Sequence, residues 1–549
     1  MGRQPGMTRL LIGPLLRHVG TTDATVWVET DEPCVVEVLG HREHTWTVAG
    51  HYYALVLVEG LAPGSSTPYE VHLDGEVAWP PLREVRPPSR IRTQGGAGTL
   101  NLTFGSCRYG RAGATLADRH FDADSLVCYS RSLCANGGDH DWPAAIIMLG
   151  DQVYADETSE ATMRRIRARR DIEAGAKDQV ADFEEYTWLY LESWTDPDVR
   201  WLLSNVPSSM IFDDHDVRDD WNTSDSWRRE MQQTDWWEER IIGGLSSYWV
   251  YQHLGNLTPE ELRANELYAQ VRAEGDGTQL LRDFAAQADR EADGAKGTRW
   301  SYRRDFGRTR LLMIDSRCGR ILANDERSMI GEDEFRWIEK QVDGDYDHLL
   351  IGTSLPWLMP RALHDIESWN EALCAGQRGP RFARWSEKMR RAADLEHWAS
   401  FRKSFERLGR LIADVAAGRH GSPPATVCVL SGDVHHAYVA QAHLPRDVAS
   451  KVYQLTCSPL HNRVPAFMKV AFRISWSRAA ARITRLLLGI VTKVPPTSLR
   501  WTRLSGPHFG NELAELIIDG RQAEVVLRKS APRTDKAELV EVHRQLLAG

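Results

Sequence analysis

Three apolar segments far apart in the chain each run out into a cluster of acids or histidines, and no other feature restricts the fold as much. They are AAIIMLGDQVYAD from Ala144 to Asp156, MIFDDHD from Met210 to Asp216, and VCVLSGDVHH from Val427 to His436. A short unbroken apolar run bounded by turn residues reads as a strand buried on both faces, the pattern of parallel sheets. In open α/β sheets ligands gather beyond the carboxyl ends of such strands, where Asp151, Asp214 and Asp433 would stand. A further strand from Leu100 to Gly105 runs into GSCRYG and adds Cys107. A single Asp after a strand is usually a cap or a turn residue. Four such clusters on four strands point to shared chemistry.

The donor types divide into two sets. Thiolate, phenolate, carboxylate and imidazole from Cys107, Tyr154, Asp151 and His435 suit a polarising transition metal, and the phenolate points to ferric iron, Fe3+. The carboxylates of Asp151, Asp214 and Asp433 suit a hard divalent cation, Ca2+, Mn2+ or Mg2+. Asp151, with two oxygens on the central strand, is the natural bridge. Two cations about 3.5–4 Å apart are a usual device for phosphate-ester hydrolysis, activating a water between them as a bridging hydroxide. His215 is expected to stay uncoordinated as the acid for the departing oxygen, against the alternative of a buried supporting histidine. Five ionised ligands nearly cancel a trivalent and a divalent charge, so arginine is expected to meet the phosphate. Arg108 is the first candidate, also for a catalytic role; Arg218 and Arg317 follow, each competing with a structural ion pair.

At 549 residues the chain has room for two or more domains. Lys and Arg number 67 against 76 Asp and Glu, and with the resulting charge of −9 general nucleic-acid binding is not expected, other than as substrate. Eight scattered cysteines without a C-x-x-C pair suggest reduced thiols. With no signal-peptide pattern at the amino end and no apolar run long enough to span a bilayer, the expected location is cytoplasmic.

Val-, Tyr- and Trp-rich segments separated by turn residues predict an all-β sandwich over 8–94, Ig/FN3-like, with Tyr69 placed as a tyrosine corner. Pro87 to Gly98 reads as a linker. Apolar strands alternating with helical stretches predict an α/β domain over 95–530, with helical insertions at 160–205 and 227–299 taken as structural. Residues 531–549 are expected to form a carboxyl-terminal helix. A hairpin is predicted around the Asp-Gly-Arg-Gln of 519–522.

The motifs GSCR (105–108), GDQVY (150–154), FDDHDVRDDWN (212–222) and SGDVHHA (431–437) resemble those of the PhoD-like (alkaline phosphatase D) family of calcineurin-type metallophosphoesterases. The resemblance implies a four-layer αββα catalytic domain and phosphomonoesterase or phosphodiesterase activity. It places the family's iron-binding Cys on Cys107, its bridging Asp on Asp151 and its Tyr on Tyr154. The superfamily's Asn-His pair falls on Asp214 and His215, and its Gly-His-x-His on Gly432 to His435, with Asp433 for the first His. Both carboxylate replacements harden the second metal site and favour calcium there over zinc.

Between Arg463 and Arg500 lies AFMKVAFRISWSRAAARITRLLLGIVTK, with Lys469, Arg473, Arg478, Arg482, Arg485 and Lys493 but no acid. The favoured reading is a helical pair packing its apolar face on the domain; the alternative is peripheral contact with an anionic membrane. Within the hydrolase class a phosphodiesterase of the phospholipase-D type, acting on nucleotides or lipid head groups, competes with a monoesterase. An inactive binding or adhesion module is the reading from another class.

Overall fold

Apolar runs of five or six residues with no polar face can only be strands covered on both sides, and the computed structural model places them so. It describes residues 8–549 except 97, 111–121, 137, 295–296, 324–325, 445–447 and 532–537. Strands Ser208–Ile211, Ala145–Leu149, Leu100–Gly105, Glu512–Asp519, Gln522–Ser530 and Leu539–Ala548 form one sheet in that order. A second sheet runs Tyr302–Phe306, Thr309–Met313, His348–Gly352, Thr426–Ser431, Lys451–Thr456, Ala437–His443, Arg500–His508. In each sheet the strands that lead to the predicted clusters pair in parallel.

Alternation along the second sheet sets the layering. Leu311, Met313, Leu350, Cys428 and Leu430 join a core shared with Phe104 and Met148 of the first sheet. Their sequence neighbours Leu312, Leu349, Ile351, Val427 and Val429 face the other way, onto Ile338, Leu408 and Ile412 of the helices Glu332–Gln341 and Arg402–Ala416. The helix Ser125–Ala135 packs on the first sheet. Two facing sheets with helices outside them give the four layers expected, and the parallel strands of both end at one edge.

The amino-terminal β region comprises two four-stranded antiparallel sheets, with Val26, Val28, Val56 and Val58 of one packed against Val36, Val38 and Val71 of the other. Three expectations are corrected here. The Tyr69 hydroxyl does not turn back onto its own region as a tyrosine corner would; it donates to the Ser204 carbonyl at 2.6 Å, in the last turn of the helix Pro197–Asn205. The stretch taken as a linker contains the strand Arg90–Arg92, paired with Ser66–Pro68. Where a carboxyl-terminal helix was expected, the described residues Leu539–Ala548 add an edge strand, because Gln522–Ser530 presents it an unpaired ladder.

Buried charge fastens the two regions together. His51 lies between Glu29 (3.0 Å) and Glu184 (2.8 Å), the latter in the first turn of the helix Phe183–Trp194. Burial works against the imidazolium, but the two carboxylates outweigh it and raise the pKa of His51 from 6.5 to about 9. A raised pKa stabilises fully below 6.5, and that gain disappears as pH rises through about 9. Burial also pushes the Glu29 carboxyl up, an effect of the same sign, since its contribution too is lost as pH rises. Stability should therefore fall by about 2 kcal/mol across that window. His51→Ala should lower stability at pH 6 and flatten the slope, as read from urea midpoints between pH 6 and 10; an unchanged slope would refute the pairing.

Candidate metal centre

Asp151 and Asp433 stand two residues beyond their strands and Asp214 three, and the first two rest on backbone that side chains seldom adopt. Cys107, Asp151, Asp433 and His435 all have left-handed φ, between 50° and 64°. Such conformations cost about 1–3 kcal/mol each and collect where function holds them. Close approach of the two sheets fixes them further. A Cβ on Gly432 would fall 1.9 Å from Ser106 Oγ, and one on Gly150, at φ +109°, 2.5 Å from Asp213 Cβ. Only glycine lets these loops meet.

Acids from three of the strand ends meet in one place. Carboxylate oxygens of Asp151, Asp213, Asp214 and Asp433 lie within 4.8 Å of one another, and a ring nitrogen of His215 lies equally close to Asp151 and Asp214. The Cys107 Sγ lies 3.8 Å from the Asp433 carbonyl and accepts from Ser458 Oγ at 3.2 Å. Burial, then the charges of Asp151 and Asp433, push its thiol up. Tyr154 feels burial, then Asp151 and Cys107, in the same direction, and its hydroxyl accepts from Asn462 Nδ2 at 2.8 Å. Burial lowers His435 to about 4, so its ring is neutral and free to act as a ligand. His436 is held differently: its Nδ1 bonds the Val434 carbonyl and its ring lies 4.3 Å from that of Phe472.

Both oxygens of Asp151 are buried without a hydrogen-bond partner, as are Asp213 Oδ2 and Asp214 Oδ1. Burying unpaired carboxylate is among the costliest arrangements a protein can hold. Four converging acids, three of them with oxygens lacking a hydrogen bond, therefore fit a cation cage, and a thiol, a phenol and a neutral imidazole nearby fit a second, softer position.

Two of the three arginines are committed elsewhere. Arg317 is wholly buried and binds Asp213 and Glu396, at 2.5 Å to the latter, with Asp214 at 3.3 Å. It therefore has no surface to offer a substrate and acts as an internal counter-charge. Arg108 is nearly as buried, paired with Asp124 at 2.8 Å and with the Ser193 carbonyl at 2.7 Å. Arg218 differs, because it stands with His215, Asp219, Lys388 and Arg391 around an open cleft of about 590 Å3.

Sequence reasoning missed the supports. Asp156 holds His215 Nδ1 at 2.9 Å, and the ring lies 4.6 Å from that of Tyr154. Although burial disfavours its charge, Asp156 and then Asp214 raise the His215 pKa. His397 joins Asp433 (3.2 Å) to Glu367 (2.8 Å). Asp216 accepts the backbone N–H of both Asp151 and Asp213 at 2.9 Å. Gln252 in turn donates to Asp216 at 3.2 Å, and the Gln252 and Tyr251 carbonyls accept from Arg17 of the amino-terminal region at 2.7 Å. The 227–299 insertion is thus part of the site's foundation. Asp156 and Asp216 could have been noticed, since they close the first two apolar motifs; His397, Glu367, Gln252 and Arg17 come from distant segments with no pattern of their own.

Residues 131–470 match the sequence profile of PhoD-like phosphatases, and 7–91 that of a domain of unknown function, DUF7800. No curated protein matches the chain. Among solved structures, "Structure of PhoD" aligns over 98% of this chain and 93% of its own, with a TM-score of 0.57 at 11% identity. A purple acid phosphatase, PPD1 from yellow lupin seeds, aligns over 97% of this chain and 74% of its own, with a TM-score of 0.50 at 10% identity. At such identities the likeness speaks for the fold, and the profile match for the family.

Proposed function

This chain belongs to the PhoD-like phosphatase family and is a metal-dependent phosphoric ester hydrolase, and on that premise we propose that it works through a dinuclear centre of ferric iron and a hard divalent cation, calcium before manganese or magnesium. The observation that carries the reading is the pair of buried, unpartnered Asp151 oxygens set among the converging carboxylates of Asp213, Asp214 and Asp433. Cys107, Tyr154, Asp151 and His435 would hold the iron; Asp151, Asp214 and Asp433 would hold the divalent ion. Bound there, the pair would supply a nucleophile from water at neutral pH and neutralise the ester oxygens.

The chain's own side chains do the rest. Asp156 fixes the His215 ring and keeps it protonated, so its other nitrogen can give a proton to the departing oxygen. Tyr154 limits the ring's motion from one side. Arg218, with Lys388 and Arg391 along the same cleft, faces the ester's anionic oxygens. Arg317 holds Asp213 in place, and Ser354 donates to that carboxylate at 3.0 Å. The cleft is roomier than a bare phosphate needs, which favours esters with a substantial organic group, including diesters.

The test is metal analysis together with turnover. Purified protein should carry iron and a divalent ion, cleave p-nitrophenyl phosphate or its bis ester, and lose both metal and activity on prolonged chelation. Metal-free protein that stays inert after reconstitution with iron and calcium would overturn the reading and favour a binding module.

A further inference from the structure

The sequence reading that favoured packing for 463–500 accounts for only one face of the helices there. In Arg478–Val491 no residue is buried. Its inner side is fixed to the body: Leu488 and Val491 pack against Trp369 and Leu373, the Trp369 indole donates to the Leu488 carbonyl at 3.1 Å, and Arg485 binds Asp365 at 2.9 Å. The opposite side is apolar. Ile483, Leu486, Leu487 and Ile490, spaced as one helical stripe, are 57–75% exposed. The preceding helix Ala466–Ser475 repeats this, with Phe472 turned inward onto His436 and Phe467, Val470 and Ile474 left 53–73% exposed. Phe382 and Trp385 extend the surface from the neighbouring helix Pro380–Ala392, the Trp385 ring lying 6.2 Å from that of Trp369.

We propose that these three helices form a docking surface for an anionic phospholipid bilayer, with the apolar stripes seated among the acyl chains and the flanking cations on the head groups. Charge identifies the occupant. A chain of net charge −9 gathers eight Lys and Arg and no acid between 463 and 500. Arg478, Arg482 and Lys493 are exposed and, among the described residues, form no ion pair. A second copy docking face to face would set this cationic strip against itself, since a twofold interface is self-complementary. Anionic head groups neutralise it, and a helix with apolar and basic exposed positions is the form that lies in a membrane interface. No helix among the described residues is long and apolar enough to cross a bilayer, so contact through these helices is peripheral. Lys388 and Arg391, on the same helix as Trp385, line the cleft beside His215, so docking would bring that cleft near the lipid surface.

Co-sedimentation of the full chain with vesicles tests this. The protein should pellet with equimolar phosphatidylglycerol and phosphatidylcholine, not with phosphatidylcholine alone, and less in high salt. Leu486→Ser with Ile490→Ser should lower the partition coefficient about tenfold, as should Arg478→Glu with Arg482→Glu. Both variants should keep wild-type rates on soluble p-nitrophenyl esters, which shows that they fold. Wild-type protein that ignores the anionic vesicles, or variants that bind as the wild type does, would overturn the proposal. So would a dimer, seen by light scattering, that Leu486→Ser with Ile490→Ser converts to monomer without any vesicle binding by the wild type.

Discussion

Asp151→Asn is expected to lower phosphoesterase turnover about a thousandfold and to strip metal from the protein. Asparagine keeps the side-chain shape and tolerates the left-handed backbone, φ 54° at this position, so the loop itself should survive. What it removes is a charge common to both groups of converging ligand atoms. The same exchange should act on stability with opposite signs in two states of the protein. In chelated protein Asp151 is a buried carboxylate with both oxygens unpartnered. Neutralising it should stabilise by about 1–2 kcal/mol. In metal-loaded protein it should destabilise, because a ligand is lost. Urea unfolding of both proteins, with and without metal, measures the four values. An equal effect in both states would mean that the acids do not cage a cation.

His215→Asn should slow cleavage about 10²–10³-fold while metal content stays at the wild-type level. The size of the loss should depend on the leaving group. A departing alkoxide needs a proton and should show the full effect; p-nitrophenolate leaves without one and should show a fraction of it. Asp156→Asn, which leaves the imidazole present but removes the carboxylate holding Nδ1, should give a smaller loss with the same dependence on the leaving group. Losses of equal size on both esters would make His215 a structural residue.

These residues were legible because apolar strand runs are local signals and the acids follow them directly in sequence. Cys107, Asp151, Asp214 and Asp433 could be placed at strand ends without knowing any strand order, and the facing sheets then brought the acids together. Partners were not legible. Arg317 lies 104 residues from Asp213, and Ser193 lies 85 from Arg108, so nothing near either arginine announced that its charge was already committed. The closing strand failed for a different reason: Leu, Glu, Arg and Gln favour helix in isolation, and an open sheet edge overrode them. In Arg478–Val491 the helical periodicity was legible, but not which apolar positions, Leu488 and Val491, would pack on the body and which, Leu486 and Ile490, would stay exposed.

The chain of contacts from Arg17 through Gln252 and Asp216 to the Asp151 amide has a practical corollary. The β region behaves as a keystone for the loop that bears the central acid, so a shortened protein beginning near Leu100 would lose more than an accessory module. It would expose the Trp249–His253 segment and release the amide that sets the aim of Asp151. Catalytic failure in such a fragment would report a slackened loop with every proposed metal ligand still in the sequence.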